Sequence, residues 1–125
     1  MHTRYFWKCP VVLLLLSHTV HGQEPPREIA ITMGDYHYAP DVIEMDRGQT
    51  VILHLSNTDG ITPHNFTLVD ASAGLDVDTD IGAGTPVRIS LTPQRPGTWT
   101  WYCNKKLPFM KSHRDRGMQG TLVVR

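Results

Sequence analysis

The chain has 125 residues, with twelve Lys and Arg against twelve Asp and Glu, so its formal net charge is zero. That length holds one domain at most, and balanced charge excludes binding driven by bulk attraction to nucleic acid. Hydrophobic residues make up 40% of the chain, enough for a single core and too many for a disordered chain.

The first 22 residues stand apart from that core. Arg4 and Lys8 fall in "MHTRYFWK", and no acid precedes Glu24. "CPVVLLLLSHTV" is apolar but short of the ~20 residues that span a bilayer. Val20-His21-Gly22 follows and ends in a small residue. Basic, then apolar, then small is the order of a secretory signal peptide, with cleavage before Gln23. The alternative is an uncleaved N-terminal anchor. Cys9 precedes the leucine run and is poorly placed for a lipoprotein cysteine. The domain expected over 23–125 then carries ten basic and twelve acidic residues, a formal charge of −2, and one cysteine, Cys103. A lone thiol closes no internal disulfide. It is buried and inert, paired with another chain, or used as a ligand or nucleophile.

Period-two patterning predicts strands along the rest of the chain. "REIAITMG" places Ile29, Ile31 and Met33 on one face. "TVILHLS" sets Val51, Leu53 and Leu55 against Ile52 and His54. "HNFTLVD" pairs Phe66 with Leu68, and "PVRISL" aligns Val87, Ile89 and Leu91. "GTWTWYC" puts Trp99, Trp101 and Cys103 opposite Thr98, Thr100 and Tyr102, and "GTLVVR" closes with Leu122 and Val124. Gly48, Asp59-Gly60, Gly82, Gly84 and Pro96-Gly97 mark the turns. Asp70 to Thr85, "DASAGLDVDTDIGAGT", reads as a surface excursion with at most a helical turn. The whole predicts an all-β sandwich.

A few polar and sulfur residues fit that sandwich less simply. His64 stands just ahead of a strand in "TPHNFTL". Cys103 ends the tryptophan strand, and His113 and Met118 lie in the loop that follows. Singly, each has a plain structural reading: a surface histidine, a small core thiol, a core-filling methionine. Together, two imidazoles, a thiolate and a thioether are the donors of a trigonal electron-transfer copper site with a weak axial Met. Zinc would accept the Cys and His donors but gains little from Met.

These motifs carry a resemblance. "YAPDVIEMDRGQTVILHLSNTD", "PHNFTL", "GTWTWYC" and "HRDRGMQGTLVV" resemble the cupredoxins, the small blue (type 1) copper proteins of the plastocyanin and azurin group. The resemblance covers nearly all of the chain beyond the leader. It implies a Greek-key β-sandwich of about seven to eight strands. It implies one type 1 copper ion on His64, Cys103, His113 and Met118. It also implies one-electron transfer between redox partners in the periplasm, by a soluble monomer that is not an enzyme. A periplasmic copper chaperone or resistance protein is the alternative, and a domain of this fold that binds no copper is a third.

One departure stands out. The family keeps only a few residues between the cysteine and the second histidine, whereas nine, "NKKLPFMKS", intervene here. Met110 lies among them as a second axial candidate, but the spacing of Met118 from His113 matches the family. His54 points away from the apolar face of its strand, which argues against it as a ligand. Asn65 follows His64 as in the "Pro-His-Asn" of plastocyanin-like members, so its amide is expected to pin the ligand loop and its N–H to reach the thiolate. Asn65-Phe66-Thr67 also matches a glycosylation acceptor, discounted beside a metal ligand. Lys105, Lys106, Lys111, Arg114 and Arg116 crowd the long loop, while Asp70, Asp76, Asp78 and Asp80 occupy the excursion. An electrically polarised molecule follows, docking on an acidic partner such as a c-type cytochrome or an oxidase domain.

Overall fold

The computed structural model describes residue 22 and residues 24–125, so the signal-peptide expectation lies outside the described residues. Nine strands are formed among them: β1 (Arg27–Gly34), β2 (His37–Ala39), β3 (Val42–Met45), β4 (Val51–Asn57), β5 (His64–Asp70), β6 (Leu75–Ile81), β7 (Val87–Leu91), β8 (Gly97–Tyr102) and β9 (Gln119–Val124). One sheet has the order β2-β1-β4-β7, the other β3-β9-β8-β5-β6. β1 with β4 and β3 with β9 are parallel; the other pairs are antiparallel.

The alternating residues do what their period requires. Ile31, Met33, Leu53 and Leu55 from one sheet meet Phe66, Leu68, Trp101 and Leu122 from the other, all fully or almost fully buried. Each such burial contributes about 1.5–3 kcal/mol. The Trp101 ring stacks on Phe66 at 5.6 Å, and Tyr38 meets both rings edge-on at 6.1 Å. Gly120 is paired with Trp101 across β8 and β9. A Cβ there would come within 2.2 Å of the indole, so only glycine lets the ring lie across β9.

The excursion expected over Asp70 to Thr85 is corrected. A short 3-10 turn at Ala71–Ala73 does form, but Leu75–Ile81 is a full strand paired with β5 along its length. Leu75 and Ile81 are buried, and Asp76, Asp78 and Asp80 point out. Because β6 lies at the edge of its sheet, that row of carboxylates also discourages pairing with another chain.

Candidate metal centre

β5 and β8 run antiparallel, so the start of one lies beside the end of the other. His64 opens β5, and Cys103 follows the last residue of β8. Both are buried, and so is His113 from the β8–β9 connection. Each of the three offers one donor atom, and these atoms all lie within 4.8 Å of one another. Cys103 Sγ and His113 Nδ1 are 3.4 Å apart.

The backbone explains how a long loop returns to the same point. His113 N–H donates to Lys105 O at 2.9 Å, closing a neck below the residues between them. Met118 N–H donates to His113 O at 3.0 Å, and Cys103 N–H to Met118 O at 3.2 Å. The main chains of Cys103, His113 and Met118 are thereby tied directly to one another. Of the nine intervening residues, the seven from Lys106 to Ser112 project beyond the neck instead of widening the site. Met118 is fully buried, whereas Met110 is 43% exposed beyond the neck.

His64 is oriented by a carboxylate. Its Nε2 lies 2.7 Å from Asp59 Oδ2, and its Nδ1 is buried without a hydrogen-bond partner. A carboxylate only accepts, so Nε2 carries the proton and Nδ1 presents a lone pair. An orphaned buried acceptor beside a thiol and a second imidazole fits a soft or borderline metal ion. The ring hydrogen bond from His64, aided by Asp35 N–H, holds the Asp59 carboxyl below the ordinary range.

Burial pushes the Cys103 thiol up, while the backbone N–H groups of Lys105 and Asn65 pull it down less strongly. Burial also pushes His113 below the usual imidazole value, followed by repulsion from His64 and Arg116. The Asn65 side chain is a junction: its amide donates to Asp78 at 2.8 Å, and its oxygen accepts from Thr67 and from Asn104 N–H. It thus fixes the residue after Cys103, as its position beside His64 suggested. Tyr38 donates to Asn65 O at 2.6 Å from below.

Two contributors escaped sequence reasoning. Asp59 reads only as half of an Asp-Gly turn. Tyr36 sits in the β1–β2 turn, where both Asp35 and Tyr36 have positive φ. Its ring meets His113 edge-on at 4.9 Å and His64 at 6.2 Å, under the Arg116 guanidinium at 4.5 Å. Nothing in the one-dimensional pattern marks a tyrosine 77 residues from His113. His54 is placed elsewhere, on Glu28 at 3.0 Å.

The expected separation of charge is corrected as well. Lys105 is paired with Asp80 at 2.7 Å, and Asn104 donates to Asp78 at 3.2 Å. The acidic edge of β6 therefore borders the basic loop, because β6 is a strand beside β5 and not a distant excursion.

Comparison with known proteins agrees with this arrangement. Residues 9–124 match the family described as "Cupredoxin-like domain". No curated protein matches the chain. Among solved structures, auracyanin A, a "blue" copper protein from Chloroflexus aurantiacus, is 20% identical, with a TM-score of 0.60 over 80% of this chain and 99% of that one. Reduced auracyanin from Roseiflexus castenholzii is 21% identical, with a TM-score of 0.61 over 78% and 96%. A mutant plastocyanin of fern is 25% identical, with a TM-score of 0.54 over 78% and 100%. With the family match, the donors His64, Cys103, His113 and Met118 are consistent with one type 1 copper site. The chain belongs to the cupredoxin family, and its buried cluster lies where the ends of β5 and β8 meet the long β8–β9 loop.

Proposed function

We propose that the chain is an exported carrier of single electrons whose one copper ion would be held by His64, Cys103, His113 and Met118. The observation that carries this reading is His64 Nδ1, a fully buried acceptor with no protein partner beside Cys103 and His113. Copper bound there supplies a one-electron Cu(II)/Cu(I) couple. The residues do the rest. Burial keeps water from the donors, and hydrogen bonds among the main chains of Cys103, His113 and Met118 fix their spacing without a metal. No general acid or nucleophile is required, which favours a carrier over an enzyme.

The partner proposed is a redox protein acidic around its own centre, a c-type cytochrome or an oxidase domain. Support comes from the loop tip, where Leu107, Phe109 and Met110 are exposed amid Lys106, Lys111 and Arg114. A shallow depression lined by Tyr36, Leu107, Met110, Lys111, His113 and Arg116 gives an approach to the His113 edge. Export to the periplasm rests on the order of residues in the leader. No helix among the described residues is long and apolar enough to cross a membrane.

The test is a spectrum. Copper-loaded protein should show an intense visible thiolate-to-copper band, absent from a folded Cys103→Ser variant. An equal band in that variant would sink the assignment. Protein taken from its native host for this measurement should begin near Gln23; an intact Met1 in a soluble cytoplasmic fraction would refute export.

A further inference from the structure

The geometry points to Asp59 as a positioning residue whose negative charge, delivered through His64, sets the reduction potential low. This rests on the copper reading above. A backbone carbonyl or a water could have accepted the His64 ring N–H and fixed its orientation equally well. Here a carboxylate does so, at 2.7 Å, from a side chain only 28% exposed to a ring that is wholly buried. Among the described residues, His64 is the only salt-bridge partner of Asp59. Its charge is therefore not spent on a lysine or arginine.

The carboxylate is itself held in place. Asp59 N–H donates to Asn57 Oδ1 at 2.9 Å, and the Asn57 amide donates to Thr62 O and Ile81 O at 2.9 and 3.1 Å. Both Asp59 oxygens also receive Asp35 N–H, at 3.1 and 3.3 Å. The acid thus joins one imidazole to the turn that carries Tyr36 onto the other. A hydrogen bond to an ionised acceptor is roughly twice as strong as a neutral one. It draws the ring proton outward and makes Nδ1 a stronger donor. A stronger nitrogen donor stabilises the higher charge of Cu(II) more than that of Cu(I). The sign is therefore a lowered potential.

Asp59→Asn separates charge from shape. Its side-chain oxygen still accepts from His64 and Asp35, but the negative charge is gone. Competition titrations of metal-free protein should show Cu(II) affinity reduced about 10–100-fold, and Cu(I) affinity reduced less. Each tenfold gap between the two raises the one-electron potential by about 59 mV. A purely structural role predicts a wild-type potential in Asp59→Asn and a shift only in Asp59→Ala; that result overturns the inference. A second readout needs no copper. The ring nitrogen shifts of His64 in metal-free protein should report the Nε2–H form, and the Nδ1–H form would overturn the inference. Wild-type protein without the visible band would instead defeat the copper reading, whatever Asp59 does.

Discussion

Met110 and Met118 have the same side chain and opposite surroundings. Met118 is fully buried and its N–H is fixed to His113 O; Met110 lies past the loop's neck and is 43% exposed. Met118→Gln is expected to lower the reduction potential, because an oxygen donor favours Cu(II). The same change should cost the metal-free protein about 1–3 kcal/mol, since an amide enters an apolar position. Met110→Gln should leave the potential nearly unchanged and stability within about 0.5 kcal/mol. Voltammetry and denaturant unfolding of both variants decide it, and a larger potential shift in Met110→Gln would move the axial ligand. At this scale the sequence was informative where chemistry is local. His64, Cys103, His113 and Met118 stand out by side-chain type and order, whereas Asp59 and Tyr36 gain their meaning only when β1, β4 and β5 are brought together.

β5 spans the sheet with a constrained residue at each end. His64 stands at the metal end and Asp70 at the other. Asp70 caps the 3-10 turn through Ser72, accepts the Trp99 indole N–H at 2.9 Å and pairs with Arg95 at 2.9 Å. The Ser72 hydroxyl, then the Trp99 indole, then Arg95 hold its carboxyl down to about 2. An unfolded aspartate titrates at about 3.9. The folded value is the lower one, so the contribution of Asp70 to stability is complete above about pH 4 and is lost as pH falls through about 2. The Trp99 indole proton resonance should titrate with a midpoint near 2, and in Asp70→Asn that titration should vanish. A midpoint near 4 would show the clamp to be absent. In β6, period and composition disagree. "LDVDTDI" alternates as an edge strand should, but aspartate is depleted in strands generally. The composition pointed to a loop although the period was that of a strand. β2 and β3, of three and four residues, are too short to carry a period at all.

For the molecule as a whole, charge is less segregated than the linear order of residues suggested. Asp80 neutralises Lys105, Arg114 lies over Tyr102 at 4.1 Å and Arg116 over Tyr36. Lys106 and Lys111 remain exposed beside the apolar tip. Under the docking proposal these two steer the acidic partner. The second-order electron-transfer rate should fall as ionic strength rises. At low salt, Lys106→Glu with Lys111→Glu should lower it about tenfold. A salt-independent rate, unchanged in the double variant, would leave the tip without a steering role. The sandwich itself was legible because two-faced strands impose a strict alternation. The path of the long loop was not, because its closure depends on one backbone bond between Lys105 and His113 that no side chain announces.

That single bond makes the tip an appendage. Since the chain re-enters at His113, the segment from Lys106 to Lys111 is a natural insertion point, short of Ser112, which receives the N–H groups of Asp115 and Arg116. It can lengthen, shorten or be exchanged without resetting the donors beneath it. Under the docking proposal, a lineage could then readdress the same centre to a new recipient by editing a few codons, and an engineer could graft a recognition peptide there while leaving the visible band expected of copper-loaded protein unchanged.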